Sequence, residues 1–292
     1  MKTSPLNFGC SVTGINAKTA TKTQIKKLRD LLYKNRLVIL KDQDLSEVEY
    51  CEFSKRFGEP VPYLQENYHH PDFPLIFVSS NVKKDGKQIG VARTGGYWHS
   101  DTAFETDPKF ITMLMPKVLP QVPRSTRFID MAEVYAALPQ ATKDRLEGAQ
   151  FLHSGRMRFK IRPDCIGLDI HEILQLIDQA TPPVTHPGVI THPYTGEKVI
   201  YGSRGFTIGI KDRSLDEQSA LLAEIFDLAE SERFVREVQW SMGDIIIWDN
   251  RFMQHSSGRN PGPEQETMMY RITLKDGMPL CASQTVPAET AA

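Results

Sequence analysis

The last third of the chain carries three strand-sized apolar segments in succession: FVREVQW at 234–240, DIIIWDN at 244–250 and MMYRITLKD at 268–276. No helix-sized segment separates them, so they predict strands that pair with one another or with strands from far earlier in the chain. RLVILKD at 36–42, LIFVSSN at 75–81, FITMLM at 110–115 and STRFID at 125–130 read the same way. Strands and helices do not alternate regularly, which disfavours a doubly wound parallel sheet. The pattern predicts a mainly β fold with helical insertions (α+β), an antiparallel sandwich or jelly roll.

The helices announce themselves by spacing and caps. Ile25, Leu28, Leu31 and Leu32 fall on one face of a helix over 21–35. Ser46 with Glu49, and Ser214 with Glu217, make capping boxes that open two more, the first ended by Gly58 and Pro60. A further helix is predicted at about 131–148. Residues 151–200 are mixed and proline-rich. Residues 61–98 show poor periodicity, which in a compact domain predicts a functional lid. No linker divides the chain, so residues 1–292 read as one domain, with a small, polar tail at about 281–292 expected to be disordered.

Composition removes several classes of function. The 35 basic and 36 acidic residues leave a formal net charge of −1, which argues against a broad surface for nucleic acid or anionic lipid. The apolar runs are strand-sized, too short to span a bilayer. Residues 1–22 hold no continuous apolar stretch of signal-peptide length. Cys10, Cys51, Cys165 and Cys281 are scattered, so no CxxC motif exists and reduced thiols in a cytoplasmic protein are expected. The expected partner is a small molecule; self-association as a homo-oligomer stays open.

The chemistry concentrates in GGYWHSDTAFETDP at 95–108. On a strand, His99 and Asp101 would project from the same face. A third ligand is needed, and His255, after the apolar strand DIIIW, is the best placed. Two histidines and one carboxylate on one face of an octahedron leave positions open for a bidentate oxo acid and O2, as in non-haem Fe(II) oxygenases. Zinc hydrolysis also suits three ligands, but no H-E-x-x-H motif is present. His70-Pro71-Asp72 is a second H-x-D, in a stretch where Pro71 favours a turn over a central strand. Arg271, on a predicted strand, is costly to bury unless it meets an anion such as a co-substrate or substrate carboxylate. Arg124 and Thr126 lie between the ligands in sequence, and the Thr126 hydroxyl can donate to such a carboxylate.

WHSDTAF, the T-x-F-x-D segment at 126–130, THPYTGEKVIY, GFTIGI and GDIIIWDNRFMQH together resemble the taurine dioxygenase (TauD/TfdA) family of Fe(II)/2-oxoglutarate oxygenases, over about residues 10–277. The resemblance implies a double-stranded β-helix, Fe(II) held by His99, Asp101 and His255, 2-oxoglutarate chelating the iron with Thr126 on its distal carboxylate, and O2 as the oxidant. One departure stands out. Taurine dioxygenases place two arginines four apart near the C-terminal strand, and here the first slot is Thr267 and the second Arg271; Arg124 and Arg259 are candidates for the missing charge.

A narrower resemblance, carried by PYLQENYHHPD, IFVSSNV, DGKQIGV, TGGYWHSD, RFKIRPDCIG and YGSRGFTIGIKD, is to the isonitrile-forming branch of the family. It implies oxidation of an N-carboxymethyl-3-amino acid to a 3-isocyano acid, with Lys160 and Tyr68 on the β-amino-acid carboxylate and Arg271 on the glycine-derived one. A Tyr-Tyr pair of that branch is Tyr63-Leu64 here. The loss of one hydroxyl at Leu64 implies a more apolar pocket.

Overall fold

Every residue of the strand Ile245–Asp249 is buried, yet its alternate side chains serve two different cores. Ile245 and Ile247 pack with Val38, Leu40, Met113 and Ile272, whereas Ile246 and Trp248 pack with Phe128, Met253 and Met269. Successive side chains of a strand point to opposite faces, so this strand is the partition between the cores. The apolar run Ile245–Trp248 follows from burial on both sides. The computed structural model describes residues 1–84, 86–161, 165–258 and 262–282.

The partition sheet runs in the order Lys2–Pro5, Cys10–Thr13, Leu37–Leu40, Ile245–Asp249, Ile111–Val118, Met268–Lys275, Glu59–Val61, with Phe77–Ser80 also paired to Met268–Lys275. The pairing of Cys10–Thr13 with Leu37–Leu40 is parallel and its neighbours are antiparallel. One core lies beneath α1 (Lys22–Asn35) and α2 (Glu47–Phe57), through Ile25, Leu28, Leu32, Tyr50 and Phe53. Capping boxes, Thr21 with Gln24 and Ser46 with Glu49, start both helices; such a cap contributes about 1 kcal/mol. The other core is closed by a three-stranded antiparallel sheet, Arg236–Gln239, Ser125–Asp130 and Met253–Ser257. Phe128 of that sheet meets Trp248 of the partition edge-on at 5.4 Å. A second three-stranded sheet, Val184–Pro187, Gln150–His153 and Thr207–Ile210, adds Phe151 and Ile210 to the same core.

The expected helix at 131–148 is two helices, α3 (Met131–Ala137) and α4 (Gln140–Leu146). Pro139 lacks an N–H and disfavours helical geometry at Leu138, which is extended at φ −64°, ψ 144°. The stretch read as mixed contains α5 (Ile170–Ala180), opened by an Asp169–Glu172 capping box and packed on a small cluster of Cys165, Ile173 and Ile177. The Ser214–Glu217 box opens α6 (Leu215–Ala229). Residues 61–98 are only partly irregular: they contain a 3-10 turn at Glu66–Tyr68, the sheet strand Phe77–Ser80 and a short hairpin over 83–88. Within the tail, the Ala282 N–H donates to the Thr191 carbonyl at 2.8 Å, so residues 281–282 are placed; 283–292 lie outside the described residues. Among the described residues no helix is long and apolar enough to cross a membrane.

Candidate active site

His255 lies within a strand rather than beyond one. Met253–Ser257 pairs with Ser125–Asp130, setting His255 opposite Phe128 and Ser257 opposite Thr126. Period-two alternation turns Met253, His255 and Ser257 to one face, and Thr126 and Phe128 to the same side. His99 reaches this strand through a single bridge, its N–H donating to the His255 carbonyl at 3.1 Å and its carbonyl accepting from the His255 N–H at 2.8 Å. Asp101 sits in a turn, not on a strand, so the expected period-two reason for its meeting His99 is replaced by a tight reversal. Thr102 in that turn has φ 58°, a strained value for a β-branched residue, and its hydroxyl accepts from the Lys109 N–H at 2.8 Å.

One ligand-type atom from each of His99, Asp101 and His255 lies within 4.8 Å of the others, and all three residues are buried. His99 Nε2 is 3.8 Å from Asp101 Oδ1, and His255 Nε2 is 3.7 Å from Asp101 Oδ2. His99 Nδ1 is 2.7 Å from the Tyr97 carbonyl. A carbonyl only accepts, so Nδ1 carries the proton and Nε2 is left with a free lone pair, the state a metal needs. Burial lowers the pKa of His99, and burial with the neighbouring His99 ring takes His255 well below its ordinary value. Burial alone would raise the Asp101 carboxyl, but Arg271, His255 and His99 outweigh it and hold it at about 2. Two neutral imidazoles and one carboxylate, buried and convergent, fit a divalent iron. His70 belongs elsewhere: its ring lies 5.6 Å from Tyr270, whose side chain enters the core on the other face of the partition.

The cluster opens on a cavity of about 120 Å³, which borders a second of about 410 Å³, the two sharing Ser79, Arg93, Thr94, Arg124 and Ser257 as walls. The first is lined by Arg93, Arg124, Arg158, Lys160 and Arg271 against one carboxylate, Asp101. Arg271 shares the face of Met269 on its strand; its guanidinium lies 3.9 Å over the Phe77 ring and bonds Asp101. Lys160 donates to the carbonyls of Ala92 and Arg93; burial and Arg93 lower its pKa. Tyr63 and Tyr68 form an edge-on pair at 5.2 Å in the wall, and burial raises both phenols. Thr126 accepts from Trp240 Nε1 at 3.0 Å, which leaves its own hydroxyl hydrogen to donate. The guanidinium of Arg124 has no partner among the described residues, and burial lowers its pKa. Leu64 is not brought in: it is 40% exposed and borders a smaller side cavity. Thr267 lines the second cavity. Arg259 lies outside the described residues. Arg93 and Arg158 carry no motif; Arg158 opens the basic stretch RFKIRP, its one sequence signal, and Arg93, in VARTGG, has none.

The family model of the taurine catabolism dioxygenase TauD, TfdA family matches residues 2–273. The chain belongs to this family. It is therefore an Fe(II)- and 2-oxoglutarate-dependent dioxygenase, using O2. An α-ketoglutarate-dependent 2,4-dichlorophenoxyacetate dioxygenase from Cupriavidus pinatubonensis is 28% identical over 93% of this chain and 96% of its own. An alkylsulfatase from Acinetobacter baylyi is 27% identical over 91% and 82%. Among solved structures, a taurine dioxygenase from Burkholderia xenovorans superposes with a TM-score of 0.74 at 24% identity, covering 94% of this chain and 90% of its own. AAD-2 in complex with Mn(II) and N-oxalylglycine gives 0.75 at 24% identity, covering 96% and 100%. The sheet-rich α+β fold is thus that of the TauD-like dioxygenases.

Proposed function

We propose that this dioxygenase oxidises an N-carboxymethyl-3-amino acid to a 3-isocyano acid, with His99, Asp101 and His255 as its iron ligands. The observation that carries the substrate class is the cavity lining: five cations against one carboxylate, beside the buried histidine–aspartate cluster. Bound iron with 2-oxoglutarate and O2 supplies the oxidising power for a C–H bond. The protein's residues supply placement. Arg271 and Lys160 suit two carboxylates separated by a secondary amine, Tyr63 and Tyr68 bound the carbon chain, and Thr126 with Arg124 suits the distal carboxylate of 2-oxoglutarate. Two turnovers, each converting one 2-oxoglutarate and one O2 to succinate and CO2 and releasing the second oxygen atom as water with two substrate hydrogens, together with loss of the glycine carboxylate as CO2, would convert NH–CH2–COOH to N≡C. The two facing sheets are read as a double-stranded β-helix, residues 61–98 as the lid, and the enzyme as cytoplasmic.

A second reading, C–H hydroxylation of a small sulfonic or carboxylic acid, is favoured by the names of the relatives, among them the 2,4-dichlorophenoxyacetate dioxygenase. The test is product mass spectrometry with N-carboxymethyl-3-amino acids, taurine and 2,4-dichlorophenoxyacetate in parallel, each with Fe(II), 2-oxoglutarate and O2. An isonitrile trapped by a tetrazine from the first class supports the proposal. Hydroxylation of one of the others, with the first class untouched, overturns it.

A further inference from the structure

Asp101 is held at two points by a hydrogen-bonded chain in which no member is solvent-accessible to any useful extent. Its backbone N–H donates to Asn250 Oδ1 at 3.2 Å, and its Oδ2 accepts from the Thr112 hydroxyl at 2.7 Å. The two holders are themselves joined: Asn250 Nδ2 donates to Thr112 Oγ1 at 2.8 Å. Trp248 Nε1 donates to Asn250 Oδ1 at 3.0 Å, and the Lys109 carbonyl accepts from Asn250 Nδ2 at 3.3 Å. Thr112 and Asn250 are fully buried, and Trp248 is 1% exposed. Both donors and both acceptor sites of the Asn250 amide are thereby used, and the Thr112 hydroxyl both donates and accepts, so neither group gains by rotating.

The members come from rigid parts of the fold. Thr112 and Trp248 are paired partners on neighbouring strands of the partition sheet, and Asn250 follows the second of these directly. The Asp101 main chain is meanwhile fixed by the strained Thr102 turn. With the main chain of Asp101 held through its N–H and its Oδ2 held by Thr112, the carboxylate has little freedom left in its side-chain torsions.

We propose that Thr112 and Asn250 are positioning residues, which set the Asp101 carboxylate in the orientation that binds the metal, with Trp248 fixing the Asn250 amide. Neither touches substrate. Thr112 contributes through one O–H; a second-sphere hydrogen bond to a metal ligand typically alters metal affinity 10- to 100-fold. The inference rests on the reading that Asp101 is an iron ligand, and not on any reading of the substrate.

The test is calorimetric titration of the metal-free full chain with Mn(II) or Co(II), for wild type, Thr112→Val, Thr112→Ser and Asp101→Ala, with thermal unfolding of each metal-free protein. Thr112→Val keeps shape and removes the hydroxyl; it should weaken binding about 10- to 100-fold. Thr112→Ser keeps the hydroxyl and should bind within about threefold of wild type, a difference under 1 kcal/mol. A Co(II) absorption spectrum altered in the Val variant and restored in the Ser variant would locate the effect at the metal. Unchanged affinity in Thr112→Val, or equal weakening in Val and Ser variants in step with their loss of melting temperature, would overturn positioning. Undiminished binding by Asp101→Ala would overturn the ligand reading beneath it.

Discussion

Two parts of one cavity lining are built on opposite terms. On one side of Asp101, Thr112, Asn250 and Trp248 are buried, each hydrogen-bonded, and drawn from sheet strands or the turn next to one, while His255 Nδ1 and Arg271 Nε on the cavity side have no partner among the described residues. Arg93 and Lys160 stand on irregular segments and Arg158 ends the short 3-10 turn Arg156–Arg158, and among the described residues neither Arg93, Arg124 nor Arg158 has an acidic partner. Arg158 instead lies 4.2 Å over the Tyr97 ring, whose carbonyl orients His99. The difference separates two tasks. Iron chemistry needs ligands fixed within a fraction of an ångström, which a satisfied buried network delivers. Cations without counter-charges are costly to crowd together unless a ligand brings the anions.

The contrast can be broken at its strongest point first. His99→Ala, Asp101→Ala and His255→Ala should each abolish Fe(II)-dependent turnover and metal binding while the protein stays folded, read by calorimetry and circular dichroism. His70→Ala should leave the metal site intact. The reverse pattern would put the iron at the other H-x-D.

On the cationic side the effects should be graded. A charge-assisted contact is worth about 1.5–3 kcal/mol, so Lys160→Ala and Arg271→Ala should each cost about 10- to 100-fold in kcat/KM for the substrate. Loss of Arg271 also removes a neighbour of Asp101, so metal affinity must be measured alongside it; Lys160→Ala is the cleaner variant. Arg124→Ala should raise the KM for 2-oxoglutarate about tenfold, more than the KM for substrate. An effect confined to substrate would assign Arg124 to the substrate end. Leu64→Tyr should change little, within about twofold, because Leu64 is exposed and borders only the side cavity.

The sequence and the structure differ in an instructive way. Strands with an apolar run, such as Ile245–Trp248 of the strand Ile245–Asp249, and helices with capping boxes are legible because both signals are local. The Asp169–Glu172 box that opens α5 was equally local but hidden in a proline-rich stretch. The break at Pro139 follows from the missing N–H and was overridden by helical periodicity on either side. His99, Asp101 and His255 could be picked out by spacing and residue type, and the structure brings them together. The Asn250 links to Asp101 and Thr112 could not, because they join residues more than a hundred positions apart, and the turn under Asp101, though local, rests on a positive φ at Thr102 that no residue type there signals. Leu64 shows the converse: adjacent to Tyr63 in sequence, it does not share the Tyr63 wall of the main cavity.

The most direct measurement is the ratio of succinate formed to organic product formed, with an N-carboxymethyl-3-amino acid as substrate, for wild type and Lys160→Ala. If fixed ligands drive 2-oxoglutarate turnover while the cations hold the substrate, wild type should give two succinates per tetrazine-trapped isonitrile. Lys160→Ala should keep forming succinate while product falls, so the ratio rises steeply. A ratio that stays the same as both rates fall together would contradict the division of labour between the two parts of the lining, and a wild type that leaves these compounds untouched would contradict the substrate itself.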